Sequence, residues 1–465
     1  MTYMNEIKNN YLQTINIKNL SAHKIIFYSF AGLIIIFIIF SLILLLFPQT
    51  YINKYIKNKI ITGFAKSYPA YSLQIVDVDY NYFINRIKCN SVSLTKRDSS
   101  FSFTAGTLSL SGISWFKLFN ENNIPASAFS GAATDAGSIN IKFKHSQYQL
   151  NCSGLHCSVQ DSEIVIDSAD YEPVTSDDQF FAGTKFRTTR YRVLIPEIIL
   201  NGVNWQGLFN GNIFQARYIK TKNAYLNVFI NMDKPIDQTA PFPLMPAEAL
   251  FSVKDSLQVD SMKIVNSRLD YNESYIVGVK PAALTFDQMQ GTLYGIANHA
   301  AVNDNLIIYA QGNFMKTCLM KVSLSIPLES PQFSFSYKGS VSKMDLNNLN
   351  SFLETAEQRR IKSGVLQGAT YHIDVNSGDA TGYVRLEYND LSVVTINRKT
   401  GSEKGIVDRI SSFIAKTFKI RVNNLPDNSG SVKIGVVKYK HNPGEPFIQF
   451  IWLALRSGIG NIVGF

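Results

Sequence analysis

Charged side chains are scarce in this chain. They make up 17% of 465 residues, and the net charge of +10 is spread in ones and twos along the sequence. So diffuse a positive balance suits an anionic membrane surface at least as well as a nucleic acid. No recognition helix, finger or aromatic stacking motif is present, which argues against a nucleic-acid partner. Cysteine is rare too: Cys89, Cys152, Cys157 and Cys318 form no CxxC and no Cys/His set with zinc spacing. The plain reading is four small apolar residues in strands, with a local Cys152–Cys157 disulfide as the alternative in an oxidising compartment. The six histidines are isolated in sequence, and GxSxG, HExxH and P-loop motifs are all absent. The sequence therefore points to no enzyme, no cofactor and no metal.

What the chain does have is an uncharged run from Ile25 to Phe47, bounded by Lys24 and Pro48. It is long enough to cross a hydrocarbon core of about 30 Å with some tilt. Its Ile, Leu and Phe residues sum to roughly −5 to −10 kcal/mol on the insertion scale. Phe47-Pro48-Gln49 lacks a small-residue cleavage pattern, so the run reads as a retained transmembrane helix. Orientation is nearly tied by charge: Lys8, Lys18 and Lys24 lie on one side, and Lys54, Lys57, Lys59 and Lys66 on the other. Residues 1–24 form a polar arm. About 415 residues follow the anchor, enough for one elongated domain or two to three ordinary ones.

Residues 48–70 read as an amphipathic helix. Ile52, Ile56 and Ile60 recur at helical spacing, with lysines between them. It either lies on lipid headgroups or caps the following sheet, and the need to cover a first sheet edge favours the cap. From Tyr71 the period changes to two. Leu73 and Ile75 alternate before the phase slips to Val76 and Val78, and Phe101, Phe103 and Ala105 alternate before Leu108. Leu226, Val228 and Ile230, then Val322 to Leu328, Phe333 to Tyr337, and Val384 to Tyr388 repeat the pattern. Such strands with bulge-like slips predict a mainly β fold: a single N-terminal transmembrane helix followed by an elongated, curved antiparallel sheet with a few short helices. We divide it into β regions at 71–236 and 247–401, and a terminal region at 402–465 with a helix, a strand and an apolar last helix.

An internal repeat supports stacked units. Leu110 to Ala126 and Leu200 to Ala216 align without gaps with eight identities, among them Gly112/Gly202 and Trp115/Trp205. Each copy reads as a strand ending at glycine and passing into a short turn whose Trp plugs the sheet. Asp161 to Phe180 carries seven acidic residues without calcium-loop spacing and reads as a solvated loop. Lys185 to Arg192 reads as its basic partner or as a wet strand face, with contact to lipid phosphates as the alternative. Asp237 to Pro246 reads as a proline-rich linker, and Leu346 to Lys362 and Glu403 to Lys419 as helices.

The order of these features resembles the AsmA-like envelope proteins, in the branch with large periplasmic sheets. The likeness is carried by the anchor, the helix ending at Phe64 to Tyr68, SLQIVDVDYNYFINRIKCNSVSLTK, GTLSLSGISWFKLF and LQVDSMKIVNSRLDYNES. SGVLQGATYHIDVNSGDATGYVRLEYNDLSVVTIN and the closing KYKHNPGEPFIQFIWLALRSGIGNIVGF add to it. The resemblance implies an inner-membrane anchor, a periplasmic body and a curled sheet. For several relatives it implies movement of phospholipid toward the outer membrane, or upkeep of that membrane. A curved sheet that is apolar inside could hold acyl chains, which makes Ile52, Ile56, Ile60, Leu73, Ile75, Phe101, Phe103, Leu226, Val228 and Ile230 the candidate lipid-facing residues. The alternative is an envelope scaffold with protein partners and no lipid cargo.

Overall fold

A computed structural model describes residues 34–35, 49–81, 83–114, 129–143, 146–209, 213–253, 255–299, 304–328, 333–403 and 420–464. The protein is mainly β, with 55% strand and 17% helix. Among the described residues no helix is long and apolar enough to cross a membrane. The expected arm at 1–24, the helix at 403–419 beyond Glu403, and Trp115 of the first repeat lie outside them. The same holds for the expected span at 25–47, except for Ile34 and Ile35, which are helical and exposed.

Among the described residues, alternating apolar residues make twenty strands, and all twenty join one sheet. It opens with an antiparallel meander: β1 (Tyr71–Asn81), β2 (Arg86–Lys96), β3 (Phe101–Ser111), β4 (Ala133–Phe143) and β5 (Tyr148–Ser158). The next three lanes are each broken into two collinear halves. β6 (Glu163–Ile166) and β7 (Ala169–Pro173) share one, β8 (Thr189–Ile195) and β9 (Glu197–Asn201) the second, β10 (Ile213–Lys222) and β11 (Tyr225–Asn231) the third. Then come β12 (Ser256–Ser274), β13 (Ala282–Ala297), β14 (Asn305–Phe314), β15 (Cys318–Pro327), β16 (Phe335–Val341) with β17 (Met344–Asp345), β18 (Arg359–Asn376), β19 (Asp379–Thr395) and β20 (Ile434–Lys440). The twenty strands fill sixteen lanes, which at the usual inter-strand spacing is about 70 Å of arc.

The sheet is mixed, whereas an antiparallel one was expected. β12 runs parallel to both β10 and β11. The proline-rich stretch from Asp237 and the helix at Pro246–Phe251 carry the chain back to the start of that lane, the long crossover that parallel neighbours require. The acidic stretch from Asp161 also differs from its reading as a loop. It contains β6, β7 and a helix at Asp177–Ala182, because its Ile and Ala residues alternate with the acids. Likewise the helix expected over 346–362 is shorter. A 3-10 turn at Leu346–Leu349 and a helix at Asn350–Ala356 give way to β18 at Arg359.

The helices are α1 (Gln49–Ser67), α2 (Asp177–Ala182), α3 (Trp205–Phe209), α4 (Pro246–Phe251), α5 (Asn350–Ala356) and α6 (Phe447–Val463). α1 and α6 close the two edges of the sheet. On the β1 edge, Lys57 Nζ donates to Val76 O at 2.8 Å, and Tyr80 N donates to Asn53 Oδ1 at 3.1 Å. On the β20 edge, Val436 N and Lys438 N donate to Asn461 Oδ1 and Ser457 Oγ, both at 3.4 Å, and Lys433 Nζ donates to Asn461 O. Val76 O, Tyr80 N, Val436 N and Lys438 N, edge groups that could pair with another strand, are thereby occupied.

A crease crosses the first ten lanes. It passes through Val76, Ser91, Gly106, Ser138 and Ser153, the β6–β7, β8–β9 and β10–β11 breaks, and then Asn266 and Gln288. Ser91, Ser138, Asn223, Asn266 and Gln288 have φ of 50°, 53°, 53°, 49° and 52°. Small or polar side chains tolerate that left-handed backbone better than β-branched ones. In β1 to β5 each strand has one unpaired residue at the crease with the register kept on either side, so the apolar phase slips by one and stays on the same face. Ile75 and Val78, Val92 and Cys89, and Ile139 and Ala136 lie on either side of the crease, and all six are buried.

Candidate functional site

The register joins these apolar residues into continuous cross-strand rows. One row runs Leu73, Leu94, Phe103, Ile141, Leu150, Tyr171, Val193, Leu226, Leu269, Phe286 and Phe314. A second, beyond the crease, runs from Val78 through Cys89, Leu108, Ala136, Leu155, Ile166 and Ile198, and on through Thr221, Ile264, Gly291, Ala310, Val322, Gly339 and Tyr371 to Val384. Its only polar member is Thr221. One face of the sheet is thus an apolar track from the first lane almost to the last.

Covering differs along the track. At the β1 end, Ile56, Ile60 and Ile61 of α1 pack on the cluster of Ile75, Val78 and Cys89. Over β14 to β20, Phe450, Ala454 and Ile462 of α6 are fully buried against Leu324, Tyr337, Ile373 and Val384. Helix and sheet touch there: a Cβ on Gly435 would lie 2.0 Å from Gly458 O. Between these ends, Leu150, Val193, Leu226, Val228, Ile230 and Leu269 are half-buried and belong to none of the five packed clusters. They lie on β5, β8, β11 and β12, a stretch of five lanes and about 19 Å of arc at the usual spacing, in which Tyr171 of the intervening lane packs with Tyr148, Phe180 and Phe181.

The structure brings most of the sequence-derived candidates together. Leu73, Phe103 and Leu226 share one row. Ile75 lies beside Leu73 across the same face, and Phe101 pairs with Phe143 at a ring distance of 5.9 Å. Val228 and Ile230 continue from Leu226 on the open stretch. Ile56 and Ile60 instead face the β1 cluster, and Ile52 lies in the same helix. Sequence reading missed the linking members, Ile141, Tyr171, Val193 and Leu269 among them. A usable signal was the spacing of fifteen residues from Val76 to Ser91 to Gly106, repeated from Ser138 to Ser153 to Ser168.

Polar groups near the open stretch are internally paired. Glu273 is buried and accepts hydrogen bonds from Tyr271 Oη at 2.5 Å and Tyr275 Oη at 2.6 Å. Burial first, and the Glu273 carboxylate next, push both phenols above their ordinary pKa. Arg190 is buried with Asp177 at 2.9 Å, and its guanidinium lies 5.5 Å from the centre of the Phe229 ring. Burial lowers its pKa, and Asp177 opposes that shift. Asp177 also pairs with Arg192 at 3.2 Å, so the basic segment does meet the acidic one.

All four cysteines are free thiols. Burial raises each of them, and Cys157, with Asp135 adding to the effect, is pushed up to about 11. Cys152 and Cys157 lie five residues apart on one strand, about 16 Å, too far for a disulfide. No group of His, Cys, Asp and Glu among the described residues could hold a metal ion. What the arrangement offers is an apolar surface, covered at its two ends and more open in the middle. Comparison with known proteins finds no family model that matches the chain and no matching curated protein.

Proposed function

We propose that this protein is a membrane-anchored lipid-holding sheet of the cell envelope. Residues 25–47 would be its single anchor in the inner membrane, and its β body would lie in the periplasm. It would bind or pass phospholipid without catalysing a reaction. The observation that carries this reading is the opening in the middle of the apolar track, where Leu226, Val228 and Ile230 stand half-buried outside the packed clusters on either side. Each CH₂ sheltered from water returns about 0.8 kcal/mol. The cost of drawing a tail out of a bilayer is therefore offset only along an unbroken apolar path. α1 holds the first lane next to the proposed anchor, so the track would begin where lipid is available.

The test is lipid analysis of the full-length chain, purified in mild detergent and examined by native mass spectrometry. Co-purifying phospholipid is expected, and Val228→Lys should reduce it at least tenfold, because an ammonium is costly among acyl chains. A lipid-free wild-type protein, or a V228K variant that retains its lipid, would sink the proposal.

A further inference from the structure

The other side of the same strands carries a second feature. Residues next to the track members point the other way. Lys263, Thr292, Tyr309, Ser323, Lys338, His372 and Tyr383 form one cross-strand row there. They border a hollow of about 590 Å³, a size suited to a small ligand. Its lining includes three lysines and a histidine, and no carboxylate.

We propose that this hollow binds a water-soluble phosphorylated sugar. Lys321 sits diagonally across from Lys338, a like-charge neighbour at about 7–8 Å. Among the described residues neither these two lysines nor Lys263 has an ion-pair partner, and all three are exposed. A nearby acid, Asp374, lies 3.4 Å from Nε2 of His372 in the row, and pairs with none of the three lysines. Two neighbouring ammonium groups without an ion-pair partner suit an anion, and lysine serves phosphate as a point charge. Tyr309 and Tyr383 are about half exposed, at 52% and 47%, and the Tyr383 ring stacks on His372 at 6.3 Å. Exposed aromatic faces beside amide and hydroxyl side chains suit a sugar ring. The soluble form is favoured because a lipid lying in the track has its tails on the other side of the sheet.

The experiment is calorimetric titration of the full-length chain in detergent with glucose 1,6-bisphosphate, maltose, inorganic phosphate and phosphatidic acid vesicles. Glucose 1,6-bisphosphate is expected to bind, more weakly as salt is raised. Lys321→Gln with Lys338→Gln should weaken it roughly tenfold or more. Tyr383→Ala should weaken the bisphosphate while leaving inorganic phosphate unchanged. Both lysines are exposed, so an unchanged circular dichroism melt confirms that the double variant is folded. Undiminished binding by that variant, equal binding of maltose, or binding of the vesicles alone would overturn the proposal.

Discussion

Replacing Gly435 by alanine tests how α6 is seated on the track. The new Cβ would lie 2.0 Å from Gly458 O and 2.9 Å from Ile462 Cγ1, and the first contact is with helix backbone. Two responses compete. Full release of α6 would expose Phe450 and Ile462, which are completely buried, at about 1.5–3 kcal/mol for each large side chain, besides the smaller loss at Ala454. A sliding adjustment of the helix costs only the usual overpacking penalty of about 1–3 kcal/mol. The smaller cost wins, so α6 should stay docked but open more readily. A loss of about 2 kcal/mol speeds exchange through local opening roughly thirtyfold. Hydrogen exchange of the α6 amides, read against those of β2 and β3, measures this. Gly458→Ala should do less, since its Cβ meets Val384 and Val437 methyl groups at 2.8 Å. Unchanged α6 exchange in Gly435→Ala would refute the close approach of helix and sheet. If the track holds lipid, the same variant should also carry more of it.

Gly63 lies within α1, and a Cβ placed on it would meet nothing within 4 Å, so Gly63→Ala should stabilise the helix by about 0.5–1 kcal/mol, seen as a higher urea midpoint. Arg190→Ala should cost about 1–3 kcal/mol in the same assay, because Asp177 is 38% exposed and keeps Arg192 at 3.2 Å, and less when Asp177→Asn is already present. His156 lies between Asp135 at 2.8 Å and Asp167 at 3.1 Å, whose hydrogen bonds raise its pKa above the ordinary histidine value. Its contribution to stability is therefore full below the unfolded-state pKa and fades as pH rises through the folded one. An NMR titration should show a raised midpoint that falls in Asp135→Asn and in Asp167→Asn.

Much of this fold was legible because strand periodicity is a local signal. Leu73 and Ile75, Phe101 and Phe103, and Leu226 to Ile230 announce a half-buried face within a few residues. Which strands lie side by side is a non-local matter. Nothing near Leu226 says that it meets Val193 on one side and Leu269 on the other, and nothing near β10 says that β12 runs parallel to it. The phase slip at Val76 was visible, yet its meaning depends on the matching slips at Ser91, Gly106 and Ser138. The acidic stretch was misread because charge dominates its composition, although Ile164 and Ile166 point to the apolar face. Gly112 and Gly202, at equivalent places in the repeat, both end a strand with positive φ, 72° and 69°, as their shared position implied.

The crease and the two capped edges together make length a free variable. Lanes β2, β3 and β4 each meet creased antiparallel neighbours on both sides, so the stability of that part of the sheet accumulates lane by lane, as it does in solenoid arrays. A duplicated hairpin could be spliced between existing ones if its crease residues kept the fifteen-residue interval seen at Val76, Ser91 and Gly106. Both terminal helices would be left untouched. Each such insertion would lengthen the apolar track by about 10 Å. The present size is then one setting of a modular ruler, and longer or shorter versions need no new core.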